Sequence, residues 1–205
     1  MDAAMLNFAR RKTDLALVPP VPVPEPDLVI DVARARLALA RKGKGAHPAA
    51  HAIRVALGAI EDALIAVDAI RAALEEAAEL VADARAAGND DGRRALYAER
   101  YDDLRHAINE SCGVTTKEAD CLTAHVKARI EVSLDPKGRS RHVVRGCDLS
   151  TGAQGLDLPP PLEAFATGEE IDTVAAAIAG AFQRLDRAAQ IFLDDAGALT
   201  AAAAI

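Results

Sequence analysis

The sequence predicts a mainly α fold: an elongated antiparallel three-helix bundle, coiled-coil-like in its packing, with a small antiparallel β-hairpin. Three observations predict it. Between His51 and Ala87, the residues Ile53, Leu57, Ile60, Leu64, Val67 and Leu74 fall three, four or seven apart, which draws one narrow apolar stripe down an α-helix. Between Glu169 and Thr200, the residues Ile171, Ile178, Leu185, Phe192 and Leu199 recur at every seventh position, with Val174, Ala181, Ala188 and Ala196 between them. A strict seven-residue repeat sets a left-handed crossing with a partner helix. From Val126 to Leu134 the period changes to two, with Val126, Ala128, Ile130, Val132 and Leu134 alternating with polar residues, the mark of a strand with one buried face.

Composition agrees with helices packed through small side chains. Hydrophobic residues make up 51% of the 205, yet aromatics only 3%, so the apolar content is largely Ala, Leu, Val and Ile. The net charge of −7 disfavours nucleic acid as a partner. The charge is also unevenly spread: 51–87 carries Glu61, Asp62, Asp68, Glu75, Glu76, Glu79 and Asp83 against Arg54, Arg71 and Arg85, whereas 34–44 and 127–145 are basic. No run of about 18 apolar residues points to a membrane span. The first residues lack the charged lead and apolar core of a cleaved signal peptide, so export, if it occurs, is expected by another route. Cys112, Cys121 and Cys147 are an odd number in a chain large enough to fold without staples, and they read as reduced thiols.

Taken in order, 1–26 reads as an arm and linker, in which Pro19 to Pro26 forms an extended polyproline spacer. The remainder, 27–205, reads as the helical body with its hairpin at about 125–150. Leu28, Val32, Ala35 and Leu39 suit a short helix over 27–42, ended by Gly43-Lys44-Gly45, and His47-Pro48 marks the next turn. The long helix 51–87 would measure on the order of 55 Å at about 1.5 Å per residue, too long to hide its stripe without other rods beside it. Gly88-Asn89-Asp90-Asp91-Gly92 ends it, and 93–111 forms a second, antiparallel helix with Tyr97, Tyr101, Leu104 and Ile108 on one face. Thr115 to Glu118 suits a turn of helix. Asp135-Pro136-Lys137-Gly138 turns the hairpin, and Val143, Cys147 and Leu149 are the apolar positions of the returning strand. A loop over 152–161 leads to the last helix, opened by a capping box of Thr167 and Glu170.

Three constellations bear on chemistry, and each reads more simply as structure. His106, Cys112, Cys121 and His125 are ligand types that zinc accepts, but spacings of six, nine and four match no standard finger, so no metal site is assigned. Asp102, Asp103, His106 and Glu110 suit a solvated helix face rather than acid–base catalysis. Lys127, Arg129, Arg139, Arg141, His142 and Arg145 make a basic hairpin without interleaved aromatics, and the acidic helix of the same chain is an available counter-charge, so surface complementarity is favoured over nucleic acid. Neither Gly-x-Ser-x-Gly, His-Glu-x-x-His nor a phosphate-binding Gly-x4-Gly-Lys-Ser/Thr occurs. No catalytic, cofactor-binding or metal-ligating residue is assigned, and an enzyme is not expected.

A long helix, an Asn-Asp turn, a second helix, a hairpin and a long last helix, in that order, resemble the D1 core of bacterial flagellin. The likeness covers roughly residues 53–193. It is carried by Ala59-Ile60-Glu61-Asp62-Ala63-Leu64 with Val67-Asp68-Ala69-Ile70-Arg71, by the run from Arg94 to Ile108, and by Gly146-Cys147-Asp148-Leu149-Ser150 leading to Gly155-Leu156. The chain departs from the family at Met1 to Pro26 and at Leu199 to Ile205, which do not match the terminal segments of the filament core, and in its cysteines. The resemblance implies a non-enzymatic structural or assembly protein of the flagellum, acting through helix–helix contacts on filament or export components, with self-association compatible. A cytoplasmic helical scaffold or regulatory module is the alternative.

Overall fold

The computed structural model describes residues 48–113, 121–125, 127–135 and 137–203. The arm and linker 1–26, the short helix 27–42, the Gly43–Gly45 stop, the turn at Thr115 to Glu118 and Val126 lie outside the described residues. The fold is mainly helical with a two-stranded antiparallel sheet, in the order α1 (Pro48–Ala86), α2 (Asp91–Ser111), β1 (Arg129–Ser133), β2 (Arg141–Arg145) and α3 (Gly168–Ala203).

Pro48 is the first residue of α1 rather than part of the preceding turn. Its missing N–H would be unpaired at that position in any case, and its fixed φ suits the helix. All six residues of the expected stripe are buried, and a second column lies beside them, in which Ala56, Ala63, Ile70, Ala77 and Ala84 recur at every seventh position. Alanines at four of those five places let neighbouring helices approach closely. Helix α1 gives one side to α2 and another to α3, and both pack on it.

At its end, Gly88 adopts φ +61, the left-handed conformation that stops a helix with little strain. Asp90 then caps α2 by accepting the Arg93 N–H at 3.1 Å. Because the cap sits at Asp90, α2 starts two residues before the expected Arg93, and the hairpin turn is correspondingly shorter.

Every residue of the expected seam of α3, from Ile171 to Leu199, is buried, and Ala189 and Leu193 join it. Helix α3 runs antiparallel to α1. Arg71 meets Asp186 at 2.5 Å and Arg85 meets Asp172, pairs set two heptads apart on both helices, so one register holds along the contact. At the start of α3, Thr167 Oγ1 accepts the Glu170 N–H at 3.2 Å. The return half of the expected capping box is absent: Glu170 Oε1 instead accepts the Glu163 N–H at 2.9 Å and ties the preceding loop to the helix.

In the sheet, Ile130 faces Val144 and Val132 faces His142. The inward residue of β2 is therefore Val144, fully buried, and Val143 points outward. Cys147 and Leu149 lie beyond the strand, held by bonds from their N–H groups to Leu122 O at 2.7 Å and Thr123 O at 2.9 Å. With two valines in succession the alternation is ambiguous on its own, and pairing with Ile130 decides it.

The hairpin turn is organised by Asp135, whose carboxylate accepts N–H groups of Lys137 at 2.6 Å, Arg139 at 3.2 Å and Ser140 at 2.7 Å. Desolvation raises its pKa, but the backbone donors of Arg139, Ser140, Lys137 and Gly138 outweigh it and leave the group below its ordinary 3.8. A lowered folded-state pKa means that the ionised carboxylate favours the folded turn. That contribution is complete above the ordinary value and is lost as pH falls through the lowered one. The amide resonances of Lys137, Arg139 and Ser140 are expected to shift together with a midpoint below pH 3.8. A midpoint at or above that pH would contradict the assignment.

Candidate functional site

Between β2 and α3 the chain crosses from the hairpin end of the bundle to the start of α3 as a strap, 146–167, without helix or strand. The strap holds its course through side chains of α2 that bond to its backbone. Asn109 Nδ2 donates to Thr151 Oγ1 at 3.0 Å while Asn109 Oδ1 accepts the Thr151 N–H at 2.9 Å. Arg105 Nε donates to Leu158 O at 3.1 Å, Tyr101 OH to Pro159 O at 3.0 Å and Arg94 Nη1 to Ala166 O at 2.8 Å. These partners descend along α2 as the strap ascends, so the two run antiparallel. From the other side, Arg184 of α3 donates to Gly155 O at 3.1 Å and to Asp157 Oδ2 at 3.3 Å. The strap thus joins α2 to α3.

Two glycines let the strap approach this closely. A Cβ on Gly146 would stand 2.6 Å from His125 O and 2.8 Å from Ala128 Cβ, and one on Gly155 would strike the backbone of Ser150. Near the far end, Ala164 and Phe165 have φ of 52° and 59°, a region that costs residues with a Cβ roughly 1–2 kcal/mol each. The fully buried Phe165 ring, packed 5.6 Å from that of Tyr101 at a tilt of 41°, offsets that strain. Burial drives the Tyr101 phenol well above its ordinary pKa, with Arg105 opposing, so the hydroxyl stays a donor. Tyr101→Phe removes only the bond to Pro159 O and is expected to cost about 1 kcal/mol in a denaturant titration, with the fold retained.

Beside the strap lies a groove of about 920 Å³ between β2, the segment after it and α3. Its rims are arginines: Arg141 and Arg145 from one face of β2, and Arg184 and Arg187 from α3. Val143, 38% exposed, and Ile191, 39% exposed, lie between them. His142 and Asp195 also line the groove, with His142 Nε2 2.8 Å from Asp195 Oδ1, and this pair joins β2 to α3. Cys147 also lines the groove. Burial, and then the negative charge of Asp195, raise its pKa, so at neutral pH it is a thiol and a poor nucleophile. The His142–Asp195 contact ties β2 to α3 beside this thiol.

The other sequence-derived constellations are scattered or exposed. Cys112 is buried at the end of α2 with its Sγ donating to Asn109 O at 3.3 Å, and Cys121 Sγ donates to Cys112 O at 3.3 Å. Those two are neighbours, but His106 is exposed, 3.6 Å from Asp102, and His125 is exposed elsewhere. Among the described residues no three His, Cys, Asp or Glu side chains gather as a metal requires. Asp102, Asp103, His106 and Glu110 lie on the outer side of α2, with Asp102 bonded to Arg105 at 2.5 Å.

Of the basic hairpin, Arg141, His142 and Arg145 reach the groove, whereas Arg129 lies 3.8 Å from Glu131 on its own strand. Sequence reading missed Arg184 and Arg187. The signal for them was Ile191, a large apolar residue one place off the seam, with arginines four and seven positions before it. Among the described residues no helix is long and apolar enough to cross a membrane. No family model, curated protein or solved structure matches the chain.

Proposed function

We propose that this chain is a non-enzymatic, flagellin-like structural or assembly protein of the bacterial flagellum, working through coiled-coil-like helix–helix contacts with filament or export components. The observation that carries the reading is the path of the strap. The segment Gly146 to Leu156, part of the sequence likeness to the flagellin D1 core, is the stretch that leaves the hairpin and bridges α2 to α3. The antiparallel α1–α3 pairing and the short α1–α2 turn support the same order of elements. Side chains that converge here tie backbone to backbone, and the arginine groove is open and offers no thiolate nucleophile, which suits a protein that acts by contact.

Fractionation tests the reading. The chain is expected by mass spectrometry in sheared filaments, or in pull-downs with filament and export components from the cytoplasmic fraction. Absence from both would overturn the proposal and leave the cytoplasmic scaffold.

A further inference from the structure

Two surfaces of the chain carry charged side chains that have no ion-pair partner among the described residues. The first is the groove, where Arg141, Arg145 and Arg187 form no ion pair among the described residues, while the two carboxylates that also line it, Asp195 and Asp148, are bonded to His142 and to the Ser150 N–H. The second is the outer face of α1, where Asp62, Asp68, Glu79 and Asp83 are exposed and have no cationic partner among the described residues. Both surfaces also expose large apolar side chains. Val143 and Ile191 lie in the groove, and Val55 at 53% and Ile65 at 61% lie on the α1 face. Those four are among only six exposed large hydrophobic residues in the described part of the chain, so exposure concentrates on these two places.

We infer that the arginine groove of one copy takes the acidic outer face of α1 of a second copy, with Val143 and Ile191 against Ile65 and the arginines against Asp62 and Asp68. The chemistry is matched in sign and in its apolar centre, the arrangement that sets orientation and speeds encounter between proteins. Each arginine presents a planar fork suited to a carboxylate. The two surfaces are different patches of the same molecule, so the contact is head-to-tail and leaves one groove and one acidic face free at the ends of any open assembly. The contact follows from the charge map and does not rest on the flagellar reading. A chain absent from flagellar material would still make it, and a flagellar chain that stays monomeric would lose this inference alone.

Sedimentation velocity tests it. The wild-type chain is expected to form larger species as concentration rises at about 0.01 M salt, and to lose them at about 1 M, where the screening length drops from about 30 Å to about 3 Å. The combined variant Arg141→Gln, Arg145→Gln, Arg187→Gln, and separately Asp62→Asn, Asp68→Asn, should each associate at least tenfold more weakly. Mixed one to one, they should form a complex of two copies and nothing larger, because each contributes the one surface the other lacks. Circular dichroism of each variant verifies its fold. A wild-type chain that is monomeric throughout, association unchanged in either folded variant, or a mixture that stays monomeric would overturn the inference. So would a variant groove that still binds, since a different surface would then hold the copies together.

Discussion

Phe192→Ala is expected to cost about 3–5 kcal/mol, among the largest effects of a single truncation in the described residues. Phe192 is fully buried in the seam of α3, and the chain has few other large rings to fill the space it would leave. Neighbouring seam positions Ala188, Ala189 and Ala196 are small and well packed, so they cannot swell into the cavity. A domain of this kind has roughly 5–15 kcal/mol in hand, so one such change removes a large share. Thermal melts followed by circular dichroism should show an early transition. Phe182→Ala, at a partly buried position only packed against the core, serves as the control and should cost clearly less. Equal losses for the two would mean that the seam is not where the stability resides.

Gly146→Ala is the second large effect, and it acts by a different cause. The added methyl would meet the His125 carbonyl at 2.6 Å and the Ala128 side chain at 2.8 Å, and neither is the free end of a flexible chain. Gly146 N also donates to Ala128 O at 2.7 Å, so the backbone cannot back away without breaking that bond. A loss of about 2–4 kcal/mol is expected from overpacking together with the disturbed bond. Nuclear magnetic resonance should show the shifts concentrated in β1, β2 and 121–125. Gly180→Ala, at a helical position with open space around the would-be Cβ, should be neutral or slightly stabilising.

How much of this was legible in the sequence divides along a physical line. Periodicity tells which side of an element is apolar, and the seams of α1 and α3 followed from it residue by residue, because long helices repeat the same instruction many times. It fails where an element is short: β2 has five residues and two adjacent valines, so one residue of register decides which is inside, and only Ile130 across the sheet fixes that. It is silent about which elements meet. Arg141 and Arg187 share a groove, and His142 and Asp195 a hydrogen bond across 53 positions, because α3 passes β2, and nothing local to either segment says so. Gly146 and Gly155 stood out only as parts of a family likeness. The close backbone approach that requires them appears once the strap is in place.

Helix α1 serves two partners that become available at very different times. Its turn into α2 takes four residues, whereas its tie to α3 spans 115 positions from Arg71 to Asp186. Local pairing closes quickly and distant pairing slowly. As the chain leaves the ribosome, the α1–α2 hairpin can assemble while the half of α1 meant for α3 still faces water. At about 5–20 residues per second that bare stretch persists for roughly 5–20 seconds, a window in which a holding chaperone would find its target there.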